Sequence, residues 1–230
     1  MAAIPSSTDA FGRATLAAVW PTVLGETPSA LELQAVQAVS RGEGLYGRAT
    51  YKLLSIPDGA LIATVNDSNN WGAVQAGHPP CDPASSFVAT DSSPRLQNAE
   101  NPKGYYNICF RRHATPEEGA ANYLRTLLVH HGRSVVRTAV RTGSAQAIAQ
   151  AMHDTGYYEG FGPTVFDRIK RYADGIFKNA GDIAANLKEP RLVTRNHGAA
   201  AATTGRVSAN AIAVGLGVAV GALLLWKGTS

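Results

Sequence analysis

The sequence is short of several things that would assign it quickly. It has two cysteines, Cys81 and Cys109, among 230 residues. Two do not make a disulfide scaffold, and there is no CxxC or mixed His/Cys cluster to hold zinc. They pair if the chain works outside a reducing compartment, or stay as buried thiols otherwise. Residues 1–25 carry no basic stretch followed by an apolar run, so no Sec signal peptide is expected. There is no long Lys/Arg run and no basic stripe interleaved with aromatics. A net charge of +4 and a pI near 9.2 therefore argue for attraction to a polyanion, but not to nucleic acid. No internal repeat is present. His130-His131 lacks further ligand partners, and no metal or organic cofactor is expected.

Hydrophobic residues make up 45% of the chain, enough for one ordinary domain with appendages. Residues 1–26 read as an N-terminal arm with a short apolar piece around Trp20-Pro21. Thr27-Pro28 reads as a helix start, followed by apolar Leu31, Ala35, Val36, Ala38 and Val39 at helical spacing. That helix runs into Gly42-Glu43-Gly44 and Gly47. Glycines at a helix end cost order, and a carboxylate there opposes the helix dipole. Both make sense if the Glu43 carboxyl must project into a cleft. Residues 48–54 read as a short helix or an extended piece.

The middle of the chain is the least helical. Phe87–Thr90 and Tyr105–Phe110 are rich in β-branched and aromatic residues and predict a small β-hairpin with a long loop. Thr115-Pro116-Glu117-Glu118 is a helix start with a capping-box spacing. Two further helices are expected over 134–141 and 144–153, split at Gly143. Residues 157–162 read as a loop. A last helix opens at Pro163 and runs to about Phe177, with Val165, Phe166, Ile169, Tyr172 and Ile176 facing inward. From 181 to 208 the composition reads as a linker. Ala211–Trp226 has no charge and, with its flanks, predicts a membrane helix over 209–227, anchored by Trp226-Lys227. Gly217 and Gly221 form a GxxxG pair suited to helix–helix self-association.

Three stretches in this order resemble a known family: residues 35–47 (AVQAVSRGEGLYG), Asn69-Asn70-Trp71-Gly72-Ala73-Val74-Gln75-Ala76, and Phe110-Arg111-Arg112-His113 before the Thr115 helix. Together they are similar to the flagellar and autolysin-type glucosaminidases of the lysozyme-like superfamily, over roughly residues 28–178. The chain departs from the family pattern at Gly-Glu-Gly around Glu43, at Gln75 where Lys is common, and at His113 where Tyr is common.

The resemblance implies an α+β, mostly α, lysozyme-like helical domain over 27–180 with a small β-hairpin, to which the sequence adds a C-terminal transmembrane helix. It implies a peptidoglycan-degrading glycosidase acting on the MurNAc/GlcNAc backbone, with Glu43 as general acid in a cleft walled by Leu45, Tyr46 and Trp71. A hydrolase also needs a base or nucleophile. Asp91 is the candidate, with Asp82 and Glu100 as competitors. If no second carboxylate faces Glu43, a lytic transglycosylase is expected instead. Asn69 and Asn70 either orient an N-acetyl group or form a turn. Trp71 either stacks on a sugar or sits in the core. Tyr157, in Thr155-Gly156-Tyr157, matches a cleft tyrosine of the family, and Tyr158 either joins it or packs.

The partners expected are peptidoglycan glycan strands and, through the C-terminal helix, a lipid membrane. The expected location is membrane-associated, in a virion that opens the wall on entry or, alternatively, in the bacterial cell envelope. The rival class is a non-catalytic, membrane-anchored structural or glycan-binding protein.

Overall fold

A computed structural model describes residues 4–130 and 133–195. Two helices lead the chain. Helix α1 (Ser6–Leu24) follows Pro5 and stops at Gly25, which adopts φ 70° and returns its N–H to Pro21. Residues 6–24 thus form a 19-residue helix where the sequence suggested an arm. Its Leu16 and Trp20 are wholly buried. Helix α2 (Ala30–Glu43) is capped by Ser29, not by Thr27. The Ser29 hydroxyl accepts from the Glu32 N–H, and the Glu32 carboxylate accepts from the Ser29 N–H, so two orphan backbone donors are satisfied together.

The β portion is larger than one hairpin. Strands β1 (Tyr51–Leu54) and β2 (Leu61–Val65) pair antiparallel. Strands β3 (Gln75–Gly77), β4 (Ser86–Ser92) and β5 (Tyr105–Arg111) form a second sheet in the order β3-β5-β4. The predicted hairpin is β4–β5, with Phe87 opposite Phe110 and Asp91 opposite Tyr106. One-sided burial sets this register: Phe87, Ala89, Ile108 and Phe110 make a small core that Tyr51 and Val65 close from the first sheet. Cys81 and Cys109 form a disulfide, which ties the loop after β3 to the central strand.

The remaining helices are α3 (Pro116–Leu128), α4 (Ser134–Thr142), α5 (Ala145–Asp154) and α6 (Val165–Leu187). Thr115 caps α3 by accepting from the Glu118 N–H, while Glu118 reaches back to Ala114. The turn between α4 and α5 needs φ 65° at Gly143. There a Cβ would also meet the Leu31 side chain at 2.2 Å. Helices α1 to α6 share one core around Leu16, Val36, Val39, Tyr123, Leu127, Val140, Ile148, Met152 and Ile176.

Helix α6 outruns its expected end near Phe177. Ala180, Ile183 and Ala184 keep its apolar stripe buried, so the packed body extends through residues read as linker. At its other end Val165 and Phe166 are exposed, and the inward stripe begins at Ile169. Past α6 the chain stays attached. The Thr194 N–H donates to Gly143 and its carbonyl accepts from Ala145.

The expected fold class is corrected in one respect. The α+β, mostly helical body with small sheets holds, but among the described residues no helix is long and apolar enough to cross a membrane. The predicted span at 209–227, with Gly217 and Gly221, lies outside the described residues.

Candidate active site

Glu43 is the last residue of α2, and the turn after it is forced by close packing. Gly44 sits so near the 70–71 backbone that a Cβ would lie 2.2 Å from the Asn70 carbonyl oxygen. Its φ of −128° is one that any residue adopts, so space, not backbone freedom, demands glycine here. Leu45 and Tyr46 then take φ 45° and 57°. Such left-handed conformations cost side-chain-bearing residues about 1–3 kcal/mol each and cluster at functional turns. Tyr46 is held there by its hydroxyl, which donates to Asp9 at 2.6 Å.

The Glu43 carboxyl sits at the floor of an open cleft of about 1220 Å³. Tyrosines surround it: Tyr51 on β1, Tyr157 and Tyr158 after α5, and Tyr172 on α6. The Tyr172 hydroxyl donates to Glu43 Oε1. Burial pushes the Glu43 carboxyl above the ordinary carboxylate range. The bond from Tyr172 opposes that shift, and the negative charge of Asp91 adds to it. The position at a helix C-terminus works in the same direction. No ion pair reaches Glu43 among the described residues. Burial and the charge of Glu43 hold the Tyr172 phenol well above its usual range, so it remains a donor.

Asp91 lines the same cleft near the end of β4. Strand alternation puts it on the face of Phe87 and Ala89. Its carboxylate accepts from Gln75 Nε2 at 2.9 Å, from the Ser92 N–H at 2.8 Å and from the Tyr106 hydroxyl at 3.4 Å. Gln75 reaches it from the third strand, β3. The two competitors lie elsewhere. The Asp82 carboxyl caps its own turn through Ser85 and Ala84, and Glu100 is exposed in the 98–101 turn. Neither lines the cleft.

The expected walls are corrected. Tyr46 and Trp71 are fully buried, and Trp71 packs on Phe11 and Tyr46 at centroid distances of 5.9 and 5.7 Å. A ring with no exposed face has nowhere to stack a sugar. Asn70 is also buried and ties its own turn, accepting from the Val74 N–H at 2.8 Å and donating to the Val74 carbonyl at 3.0 Å. Asn69 donates to the His113 carbonyl at 3.0 Å. The 69–71 stretch therefore supports the floor from behind, including through the Trp71 carbonyl, which accepts from Ser40 on α2 at 2.7 Å.

Tyr157 and Tyr158 do reach the cleft. The Tyr157 hydroxyl donates to the Gly72 carbonyl at 3.1 Å. Tyr158 stacks on Tyr172 at 3.9 Å. Sequence reading missed that Tyr51, Gln75, Arg133 and Tyr172 line the cleft. Tyr172 carried a usable signal, being a hydroxyl on an otherwise apolar inward stripe.

Among the described residues no group of three or more His, Cys, Asp or Glu side chains is placed to hold a metal ion. What the cleft offers is a poorly hydrated carboxyl, a second carboxylate coupled to it, and aromatic walls. That set suits proton transfer to a leaving oxygen.

No family model matches the chain, and no curated protein matches it. Among solved structures, the chain is similar to the catalytic domain of the autolysin Auto from Listeria monocytogenes, at 12% identity and TM-score 0.46, over 82% of this chain and 91% of that one. It is similar to a peptidoglycan hydrolase from Sphingomonas sp. A1 at 17% identity and TM-score 0.43, over 80% and 97%. It is also similar to the glycoside hydrolase domain of FlgJ from Salmonella typhimurium at 17% identity and TM-score 0.39, over 78% and 91%.

Proposed function

We propose that this chain is a glycoside hydrolase acting on the MurNAc/GlcNAc backbone of peptidoglycan, with Glu43 as general acid and Asp91 as its carboxylate partner. The observation that carries the reading is the raised Glu43 carboxyl, poorly hydrated, without a cation, and coupled to Asp91 across one cleft. A carboxyl whose hold on its proton is strengthened by burial donates it to the glycosidic oxygen as the bond breaks. The second carboxyl group, Asp91, serves the water or the anomeric carbon. Asp91 is also why hydrolysis is favoured over lytic transglycosylation, which needs one carboxyl alone.

The named polymer rests on the resemblance of residues 35–47, 69–76 and 110–118 to glucosaminidases, and on a cleft whose open, tyrosine-lined shape suits a chain of sugars. Tyr157 and Tyr158 are the proposed substrate contacts, and Tyr172 orients the acid. The proposed place of action is the cell wall, reached from a virion or from the bacterium itself.

The test incubates the full chain and Glu43→Gln with purified peptidoglycan and reads the products by mass spectrometry. New reducing ends that vanish in Glu43→Gln are expected, and the terminal sugar names the bond. Anhydro-MurNAc ends would replace hydrolysis by transglycosylation. A folded wild type that releases nothing would overturn the enzyme reading in favour of a glycan-binding or structural role.

A further inference from the structure

A second cavity, of about 340 Å³, lies beside the cleft and is lined by Gln75, Arg111, Asn122, Thr126, His130 and Arg133, with Val74 at its edge. Val74, Gln75, Thr126 and Arg133 line both spaces, so the two adjoin. Arg133 is only 8% exposed. Its Nε and Nη1 are buried and have no hydrogen-bond partner among the described residues. The contact recorded for its guanidinium is with a ring, Tyr157, 5.0 Å away.

A buried guanidinium is normally matched by an anion with hydrogen bonds to its fork. Here Arg133 lines the cavity with its Nε and Nη1 unmatched by any anion among the described residues. Arg111, exposed at the end of β5, adds a second positive charge to that space. Its position is fixed by the backbone bond from its N–H to the Val74 carbonyl at 2.9 Å. Two like charges on one cavity repel unless something negative lies between them. Gln75 stands between this cavity and Asp91, to which it donates. An anion held here would lie one side chain away from Asp91.

We propose that this cavity is a subsite for a carboxylate carried by the substrate glycan, with Arg133 as its buried anchor and Arg111 as its outer clamp. The proposal rests on the glycosidase reading and extends it. The muramyl sugar of peptidoglycan bears a lactyl ether and peptide carboxylates, whereas an unsubstituted N-acetylglucosamine chain bears none. The subsite would select the acidic polymer and set its direction in the cleft.

The test measures binding, so that it does not depend on cleavage. Full-length Glu43→Gln is titrated with soluble muropeptide and with the same muropeptide after chemical amidation of its carboxyls. The expected result is a Kd at least about tenfold lower for the acidic form. That ratio should fall to about two or less in the added Arg133→Lys and Arg111→Gln variants. Arg111 is exposed, so its variant remains informative if Arg133→Lys fails to fold by circular dichroism. Equal Kd values for the two forms, or a ratio that survives Arg111→Gln, would overturn the proposal. Inorganic phosphate is the third arm. If phosphate binds more tightly than the muropeptide and displaces it, the subsite serves phosphate and the carboxylate assignment fails. Cleavage by the wild type is scored separately, so loss of the subsite and loss of the glycosidase reading give different outcomes.

Discussion

Two carboxylates flank the C-terminal end of α2, and they have opposite surroundings. Asp9 comes from α1 and has no solvent exposure. It faces Arg41 Nε at 3.2 Å and accepts from Tyr46 at 2.6 Å and from Asn186 at 2.5 Å. Arg41 is also paired to Asp182 at 2.8 Å. Glu43 stands two residues beyond Arg41, is half-buried, and among the described residues has one phenol donor and no cation. Asp9 is a charge whose every need is met, which makes it a structural clamp between α1, α2 and α6. Glu43 is a carboxyl with few partners, which suits the proton-donor role proposed for it. The residue type does not separate the two roles; the supply of partners does.

The largest break in that comparison is expected from Glu43→Gln. It removes the proton and should lower turnover by about 10²–10⁴ while thermal unfolding stays cooperative. The converse change, Asp9→Ala, leaves Arg41 buried with half its pairing. It is expected to cost about 3–5 kcal/mol of stability, read by denaturant titration at pH 7.

A subtler result concerns pH. The Glu43 carboxyl is raised in the folded state, so between its unfolded and folded values the folded chain binds more protons than the unfolded one. Stability from this group is therefore lost as pH rises through that window. Glu43→Gln should melt at a higher temperature than wild type at pH 7, and the gap should close below about pH 4. A gap that instead widens toward acid would contradict the burial argument. The smallest effect is assigned to Tyr172→Phe. The lost hydrogen bond had opposed the shift, so the alkaline limb of activity should move further up in pH, with a modest fall in rate at its optimum.

Local signals were read well wherever the cause is local. Gly143 splits α4 from α5 because the turn needs a positive φ. Thr115 begins α3 because its hydroxyl caps a backbone N–H. The β-branched and aromatic richness of Phe87–Thr90 and Tyr105–Phe110 marks β4 and β5. Signals failed where a distant partner decides. Asn69-Asn70-Trp71 looks like a sugar platform by composition, but the Ser40 and Val74 bonds and the Phe11 contact turn it inward. Tyr51 belongs to a stretch left open as helix or extended chain, and the pairing of β1 with β2 brings it to the cleft. Gln75 looked like a simple departure from a familiar pattern, and its meaning appears only beside Asp91.

The sequence by itself determined where α3 begins, where α4 gives way to α5, which strands pair in the central hairpin, and that an acidic residue closes α2 among glycines. Capping, backbone sterics and period-two burial act within a few residues, so they can be read along the chain. Tertiary structure alone decided that, among the described residues, no cation meets Glu43 while Arg41 meets Asp9, that Asp91 rather than Asp82 or Glu100 shares its cleft, and that Cys81 meets Cys109. Hydration and charge coupling depend on what the whole fold gathers within a few ångströms, and no stretch of sequence carries that by itself.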